Sequence, residues 1–257
     1  MTEPIFKCDG VSKHYGAMTA VNALSLSAFK GDVIGIAGPN GAGKTTLFDL
    51  FSGVQKSDSG EMYLNNKLIT NMDADVLCKL GISRVFQTNA IFESLTVSEN
   101  IAMSAIFGKK NSNTLSLRFK PEQKVVLEKM IELFDLGPIS DQIAANISIV
   151  DRKKLMFASA LASEPQILLL DEPVGGLSGE EQKIILKYIQ KIKSLELTII
   201  VVEHVMSFLL DVATRILVMH HGQKIFEGDP KAFMTDKEVI SIYLGEKTAR
   251  KLVDDAK

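Results

Sequence analysis

The stretch VIGIAGPNGAGKTT, residues 33–46, decides the fold. A short apolar strand, VIGIAG, runs into glycines. A helix is expected from Gly43 through TTLFDLFSG, because Leu47, Leu50 and Phe51 share one face and Gly53 lies just past its end. Residues 38–46, Gly38-Pro39-Asn40-Gly41-Ala42-Gly43-Lys44-Thr45-Thr46, fit the spacing GxxxxGK[ST] in the strand, loop and helix setting that the pattern requires. Consecutive backbone N–H groups there would wrap a β-phosphate, and the helix N-terminus adds a favourable field. Lys44 would reach the β- and γ-oxygens, and the Thr45 hydroxyl can ligate Mg²⁺. A plain glycine-rich turn with a solvated lysine would explain neither the strand before it nor the helix after it.

Working outward, strand signals return at QILLLD (166–171), TIIVVE (198–203) and RILVMH (215–220), with EQKIILKYIQKIKSL supplying a helix between the first two. Nearly continuous apolar runs separated by helices are the pattern of a buried parallel sheet. The run ILLLDE ends in Asp171 and Glu172, at the strand edge where open α/β folds bind ligands. Asp171 would hold a Mg²⁺ shell, and Glu172 would act as general base toward the attacking water or orient it in line. His204 follows the strand TIIVVE; it reads either as a γ-phosphate contact or as an ordinary histidine. Toward the N-terminus, IFKCDGVSKHYG and LSLSAF read as strands, and GEMYLNNKLI as a hairpin turning at Asn65 and Asn66. ISRVFQ is a further strand candidate. From 96 to 164 the pattern is mainly helical, with Thr96 and Glu99 spaced as a capping box and GKKNSNTLS (108–116) as a polar break.

The 257 residues are 46% hydrophobic and 23% charged, with a formal net charge of −2, enough for one large domain or a core with a subdomain. That balance lacks the cationic excess of a nucleic-acid binder, and no nucleic-acid partner is expected. Cys8 and Cys78 are too few to staple the chain, which favours a reducing compartment and no thiolate metal site. The start MTEPIFKCDG is acidic where a leader would be basic, so no secretory leader is expected. The longest apolar runs fall far short of the roughly 18 residues needed to span a bilayer.

On these residues the sequence resembles the ATPase subunits of ABC transporters, from about residue 5 to 245. Tyr15, in SKHYG, otherwise a core tyrosine or a base platform, matches the aromatic residue that stacks on adenine. Gln87, in VFQT, matches the glutamine that touches Mg²⁺ and the attacking water and relays nucleotide state to the membrane partner. Asp171 and Glu172 match the Walker B pair, Gly176-Leu177-Ser178 the D-loop, and His204 the switch histidine. Lys44, Glu172, Gln87 and His204 are thereby the expected catalytic set. Tyr15, Gly38, Asn40, Gly41, Gly43, Lys44, Thr45, Thr46, Gln87 and Asp171 are expected to bind ATP, with Thr45, Gln87 and Asp171 around Mg²⁺. The 103–125 insertion, the stretch TNAIFESLTVSEN and the ending IYLGE are similar to the branched-chain amino acid importer ATPases.

One element departs from the family. The LSGGQ signature falls on Ile147-Ser148-Ile149-Val150-Asp151: the serine is kept, both glycines become β-branched, and the closing amide becomes a carboxylate. Branched side chains block close backbone approach to a phosphate, and a carboxylate adds like charge beside ATP. The following Arg152, Lys153 and Lys154 read as a solvated basic face rather than as a partial compensation for that charge. Ser159 stands where an arginine is common, and Val205 where an aspartate is common. In ABC dimers each ATP lies between one chain's phosphate loop and the other's signature, so the defect falls on the partner's nucleotide. This favours a heterodimer with an unlike ATPase subunit whose signature is intact.

The resemblance implies an α/β P-loop NTPase core, a mixed sheet flanked by helices, with an antiparallel β subdomain and an inserted α-helical subdomain. Residues 1–257 would form a single ATPase domain, with about 90–160 as the helical insertion and about 231–257 as a C-terminal helical tail. The implied role is ATP hydrolysis coupled to import of branched-chain amino acids or a related small solute such as urea. The chain would sit at the cytoplasmic face of the membrane on two transmembrane permease subunits, with an external solute-binding protein as a further partner. The contact surface is expected around Gln87 to Asn100 and the helical subdomain, where Ile91, Phe92 and Leu95 read either as a seat for a cytoplasmic helix of the membrane subunit or as internal core. The alternatives are another ABC system, of lipopolysaccharide or exporter type, a soluble ABC ATPase, and a non-hydrolytic regulatory subunit.

Overall fold

The computed structural model describes residues 3–88, 90–108 and 120–244. In chain order it forms β1 (Phe6–Tyr15), β2 (Met18–Ala28), β3 (Val33–Ala37), α1 (Lys44–Phe51), β4 (Ser59–Leu64), β5 (Lys67–Leu68), α2 (Ala74–Leu80) and β6 (Ile82–Val85). There follow α3 (Val97–Phe107), α4 (Pro121–Leu133), α5 (Ile149–Ala162), β7 (Ile167–Asp171), α6 (Gly179–Lys193) and β8 (Thr198–Val202). The described chain closes with α7 (Met206–Val212), β9 (Arg215–His220), β10 (Gln223–Gly228), α8 (Pro230–Thr235) and α9 (Lys237–Leu244). The strands make one sheet ordered β2-β1-β4-β5 and a second ordered β10-β9-β3-β8-β7-β6. The smaller sheet is antiparallel; the larger is mixed, with β3 parallel to β9, β6 parallel to β7, and β10 antiparallel to β9. This is the expected α/β core with an antiparallel β part and inserted helices.

The described residues form two compact units, those within 1–51, 55–71 and 200–257, and those within 52–54 and 72–199. In the first unit all five residues of β3 are buried. Gly35 is required there, because a Cβ would meet Leu209 Cδ1 of α7 at 2.7 Å. The apolar face of α1 closes the core, and Phe51 meets Phe6 edge-on with ring centroids 4.9 Å apart. Burying one such side chain stabilises the fold by about 1.5–3 kcal/mol, and the ring pair adds roughly 0.5–1.5 kcal/mol. Asn65 and Asn66 turn the β4–β5 hairpin at φ 48° and 60°, the left-handed pair that a two-residue turn needs.

In the second unit β7 is buried along its whole length. The Thr96–Glu99 capping box starts α3, and a second box, Ser178 with Glu181, starts α6. The buried stripe of α6 is Ile185, Tyr188, Ile189 and Ile192; the Tyr188 ring stacks on Phe134 at 5.7 Å, and its hydroxyl donates to Asp135 Oδ2 at 2.8 Å. Most of the polar break at 108–116, part of the 103–125 insertion, and the end of the expected C-terminal tail lie outside the described residues. No helix of the described residues is long and apolar enough to cross a membrane.

The two cysteines differ in burial. Burial pushes the Cys8 thiol in β1 up to about 12, whereas Cys78 in α2 is partly exposed. A thiol probe at about pH 8 is expected to label one cysteine quickly in the folded chain and both after denaturation. Two fast thiols in the folded chain would contradict this packing.

Candidate functional site

In the first unit, the loop after β3 is shaped by glycines that no other residue can replace at the same geometry. Gly38 has φ 146°, and a Cβ on it would lie 2.3 Å from the Met219 carbonyl oxygen. Gly43 has φ 100°, and its Cβ would lie 2.0 Å from the Ala20 carbonyl oxygen. Gly41, at φ 79°, faces open space, beside the exposed Asn40. Lys44 opens α1 and is only 5% exposed; its ammonium donates to the carbonyls of Gly38 (2.7 Å) and Pro39 (2.9 Å), curling the loop over itself. Thr45 is exposed at this helix start and Thr46 is half-buried. The loop offers a backbone cradle at the positive end of a helix dipole, with one lysine folded beneath it, which fits a phosphate chain.

Two other predicted residues belong to this unit. Tyr15, 42% exposed, ends β1, and the Lys13 ammonium lies 5.7 Å from its ring centroid. The segment before it is anchored by Asp58, which accepts from the His14 amide at 2.6 Å and from Lys13 Nζ at 3.0 Å. Those hydrogen bonds, the amide's first, hold the Asp58 carboxyl down to about 2. His204 is exposed, and its loop is held by a residue that sequence reasoning missed. Glu203, 1% exposed, accepts from the amides of His204 (2.6 Å) and Val205 (3.1 Å) through Oε2. The signal was available: an acidic residue closing an otherwise apolar strand needs buried donors.

In the second unit, the end of β7 carries the paired carboxylates. Glu172 sits at φ 46°, a left-handed conformation that a non-glycine residue adopts at a cost, commonly at functional positions. Gln87, in the loop after β6, donates from Nε2 to Glu172 Oε2 at 2.6 Å, so these two predicted residues are brought together. Asp171, 4% exposed, receives a partner that was not predicted: Arg84 Nη2 donates to its Oδ2 at 2.5 Å. The arginine stands in ISRVFQ, a strand-forming run in which a charge needs a counter-ion. Asp171 also presents a hard oxygen donor, the type that Mg²⁺ prefers.

A family model described as ABC transporter matches residues 21–175. The chain belongs to the ABC transporter family. It is 32% identical over 254 residues to the probable branched-chain amino acid transport ATP-binding protein LivG of Methanocaldococcus jannaschii, covering 95% of this chain and 99% of that one. It is 28% identical over 254 residues to the high-affinity branched-chain amino acid transport ATP-binding protein LivG of Escherichia coli, covering 96% and 100%. Among solved structures, a nucleotide-free ATP-binding cassette from an ABC transporter superposes with a TM-score of 0.83 at 31% identity, over 95% of this chain and all of that one. The chain is thus an ATP-binding and hydrolysing subunit of an ABC transporter.

Residues 147–151 of this ABC subunit, the expected place of the signature, lie at the start of α5. Ser148 is the N-cap, accepting from the Asp151 amide at 3.1 Å, and its hydroxyl donates to Asp151 Oδ2 at 2.7 Å. Ile147 is buried and Ile149 is 43% exposed. The reading of residues 152–154 as a solvated basic face is corrected by the structure: Lys153 and Lys154 are only 3% and 7% exposed. Lys154 turns back to Asp151 Oδ1 at 2.8 Å and lies 5.3 Å from the Tyr188 ring, and Arg152 donates to the carbonyls of Ala145 and Ile147. Local acceptors and an aromatic face draw these cations inward. The carboxylate at 151 is therefore paired and does not stand as a bare like charge.

The second unit also contains an apolar groove of about 420 Å³, with Cys78, Phe86, Phe92, Met103, Phe107 and Ser159 among its walls. Phe92 is 56% exposed at its rim, and Ile91 and Leu95 are half-buried beside it.

Proposed function

We propose that this subunit hydrolyses ATP to drive import of branched-chain amino acids or a related small solute, within a complex of two permease subunits, an unlike ATPase subunit and an external solute-binding protein. The observation that carries the catalytic reading is the Gln87–Glu172 hydrogen bond of 2.6 Å, which ties a proposed sensor of the membrane partner to the proposed general base. The phosphate loop with Lys44 binds and orients the triphosphate, Tyr15 stacks on the base, and Glu172 accepts the proton of the attacking water while His204 steadies the γ-phosphate. Thr45, Gln87 and Asp171 are the Mg²⁺ ligands in this reading; the ion neutralises phosphate charge when bound. In this reading the described residues between about 90 and 160 belong to the helical insertion, and those from about 231 to 244 to the C-terminal tail.

The groove lined by Phe86, Phe92 and Phe107 is the proposed seat of a cytoplasmic helix of the permease, and it supports a position of the chain at the cytoplasmic face of the membrane. The unlike partner follows from α5. Its Ser148 hydroxyl is engaged by Asp151, and Ile149 and Val150 replace the glycines that would let backbone approach a phosphate. The substrate class rests on the relatives, whose names specify branched-chain amino acid transport along nearly their whole length.

The test is reconstitution of the full complex in proteoliposomes with the two permeases and an unlike ATPase. Uptake of radiolabelled leucine that requires ATP, with hydrolysis by this chain alone at least about tenfold slower than by the complex, is the expected outcome. Equal hydrolysis by this chain alone would remove the heterodimer, and ATP turnover without leucine, isoleucine or valine uptake would remove the substrate class.

A further inference from the structure

We propose that Arg84 is a positioning residue for Asp171, a counter-ion built into the fold that holds the magnesium carboxylate before the ion arrives and shares it afterwards. The inference deepens the reading of Asp171 as a Mg²⁺ ligand and rests on it. Contacts on several sides fix the guanidinium. Nη2 donates to Asp171 Oδ2 at 2.5 Å, Nη1 donates to Ser52 Oγ at 3.0 Å, and the guanidinium carbon lies 4.7 Å from the Phe86 ring centroid. Both charged side chains are almost inaccessible, at 5% and 6%.

The register explains how the arginine reaches. In the parallel pair β6–β7, Arg84 stands opposite Leu169, two residues before Asp171, so its long side chain runs along the strand edge to the carboxylate. Gln87, three residues further on, meets Glu172. The end of β6 thus supplies one holder for each of the two neighbouring carboxylates.

Electrostatics give the arginine a role beyond packing. A buried carboxylate without a partner is strongly unfavourable, so Asp171 in the empty chain depends on Arg84. Among the described residues Arg84 is the hydrogen-bond partner of that carboxylate, and it takes Oδ2. A Mg²⁺ ion then approaches a carboxylate that is already half neutralised, and the two cations repel. Arg84 therefore orients Asp171 and at the same time moderates its hold on the ion. Once the arginine charge is removed, the ion supplies the counter-charge that Asp171 has lost.

The experiment is thermal unfolding of the purified full chain, as wild type, Arg84→Lys and Arg84→Met, without ligand, with ADP and EDTA, and with ADP and Mg²⁺. Arg84→Met is expected to melt roughly 6–15 °C lower without ligand, as breaking a buried pair does in a chain of this size. ADP with EDTA raises all three by the same amount. The additional rise on adding Mg²⁺ is expected to be larger in Arg84→Met than in wild type by about 3–6 °C, with Arg84→Lys close to wild type. A merely structural arginine would leave the Mg²⁺ increment equal in all three, and that result overturns the proposal. If ADP does not stabilise the wild type in either condition, the nucleotide reading fails and this inference falls with it. Should Arg84→Met not fold, Asp171→Asn and the double variant Arg84→Met/Asp171→Asn are compared without Mg²⁺. The double variant, in which no charge is left unpaired, is expected to be the more stable, and the reverse order overturns the pairing.

Discussion

Replacing Glu172 by glutamine is expected to cut ATP turnover of the reconstituted transporter by about 10²–10⁴-fold while nucleotide binding persists, the range lost with a positioned general base. The substitution keeps the shape of the side chain and its capacity to accept from Gln87 Nε2, now at 2.6 Å from Oε2, so the loop after β6 keeps its anchor. What changes is basicity, because an amide does not take a proton from water. The backbone at residue 172, held at φ 46°, is unaffected by the exchange. Phosphate release measured beside binding of a fluorescent ATP analogue separates the two effects. Unchanged phosphate release would show that another group activates the water; lost binding would mean that Glu172 holds the nucleotide.

The second large effect is expected at Gly43. A methyl group there meets the Ala20 carbonyl oxygen at 2.0 Å on a backbone at φ 100°, so Gly43→Ala combines left-handed strain with a backbone clash. Together these cost about 2–5 kcal/mol, which the loop avoids only by leaving its phosphate-binding shape. Gly41→Ala is the internal control: φ is 79°, yet nothing lies within 4 Å of its Cβ, so only the strain of about 1–2 kcal/mol remains. ATP affinity is expected to fall at least about 100-fold in Gly43→Ala and less than about tenfold in Gly41→Ala. Equal affinities in the two variants, measured by equilibrium titration, would mean that the loop does not depend on contact with the Ala20 strand end.

Much of this molecule is legible in its residues because the relevant signals are local. The glycines and Lys44 stand within nine positions of one another, the strand before them is apolar throughout, and the helix after them shows its buried face in Leu47, Leu50 and Phe51. The capping box at Thr96 and Glu99 and the Asn65-Asn66 turn are equally local, and each forms where its spacing places it. Residues 152–154 were misread because charge alone says nothing about depth. Lys154 is drawn inward by Asp151, three positions earlier, and by Tyr188 on α6, more than thirty positions later, while the Lys153 ammonium donates to the Gln87 carbonyl at 3.4 Å.

The sequence by itself determined the family and the short runs in which the glycine-rich loop, the paired carboxylates at the end of β7 and the expected signature are read, since each is a local pattern. Only the tertiary structure decided which side chains hold those groups. Arg84 and Asp171 are 87 positions apart in the chain, as Gln87 and Glu172 are 85 apart, and both pairs exist because β6 and β7 lie side by side in parallel register. A buried charge finds its partner through space, so the counter-ion of Asp171 could be identified only once the strands were in place.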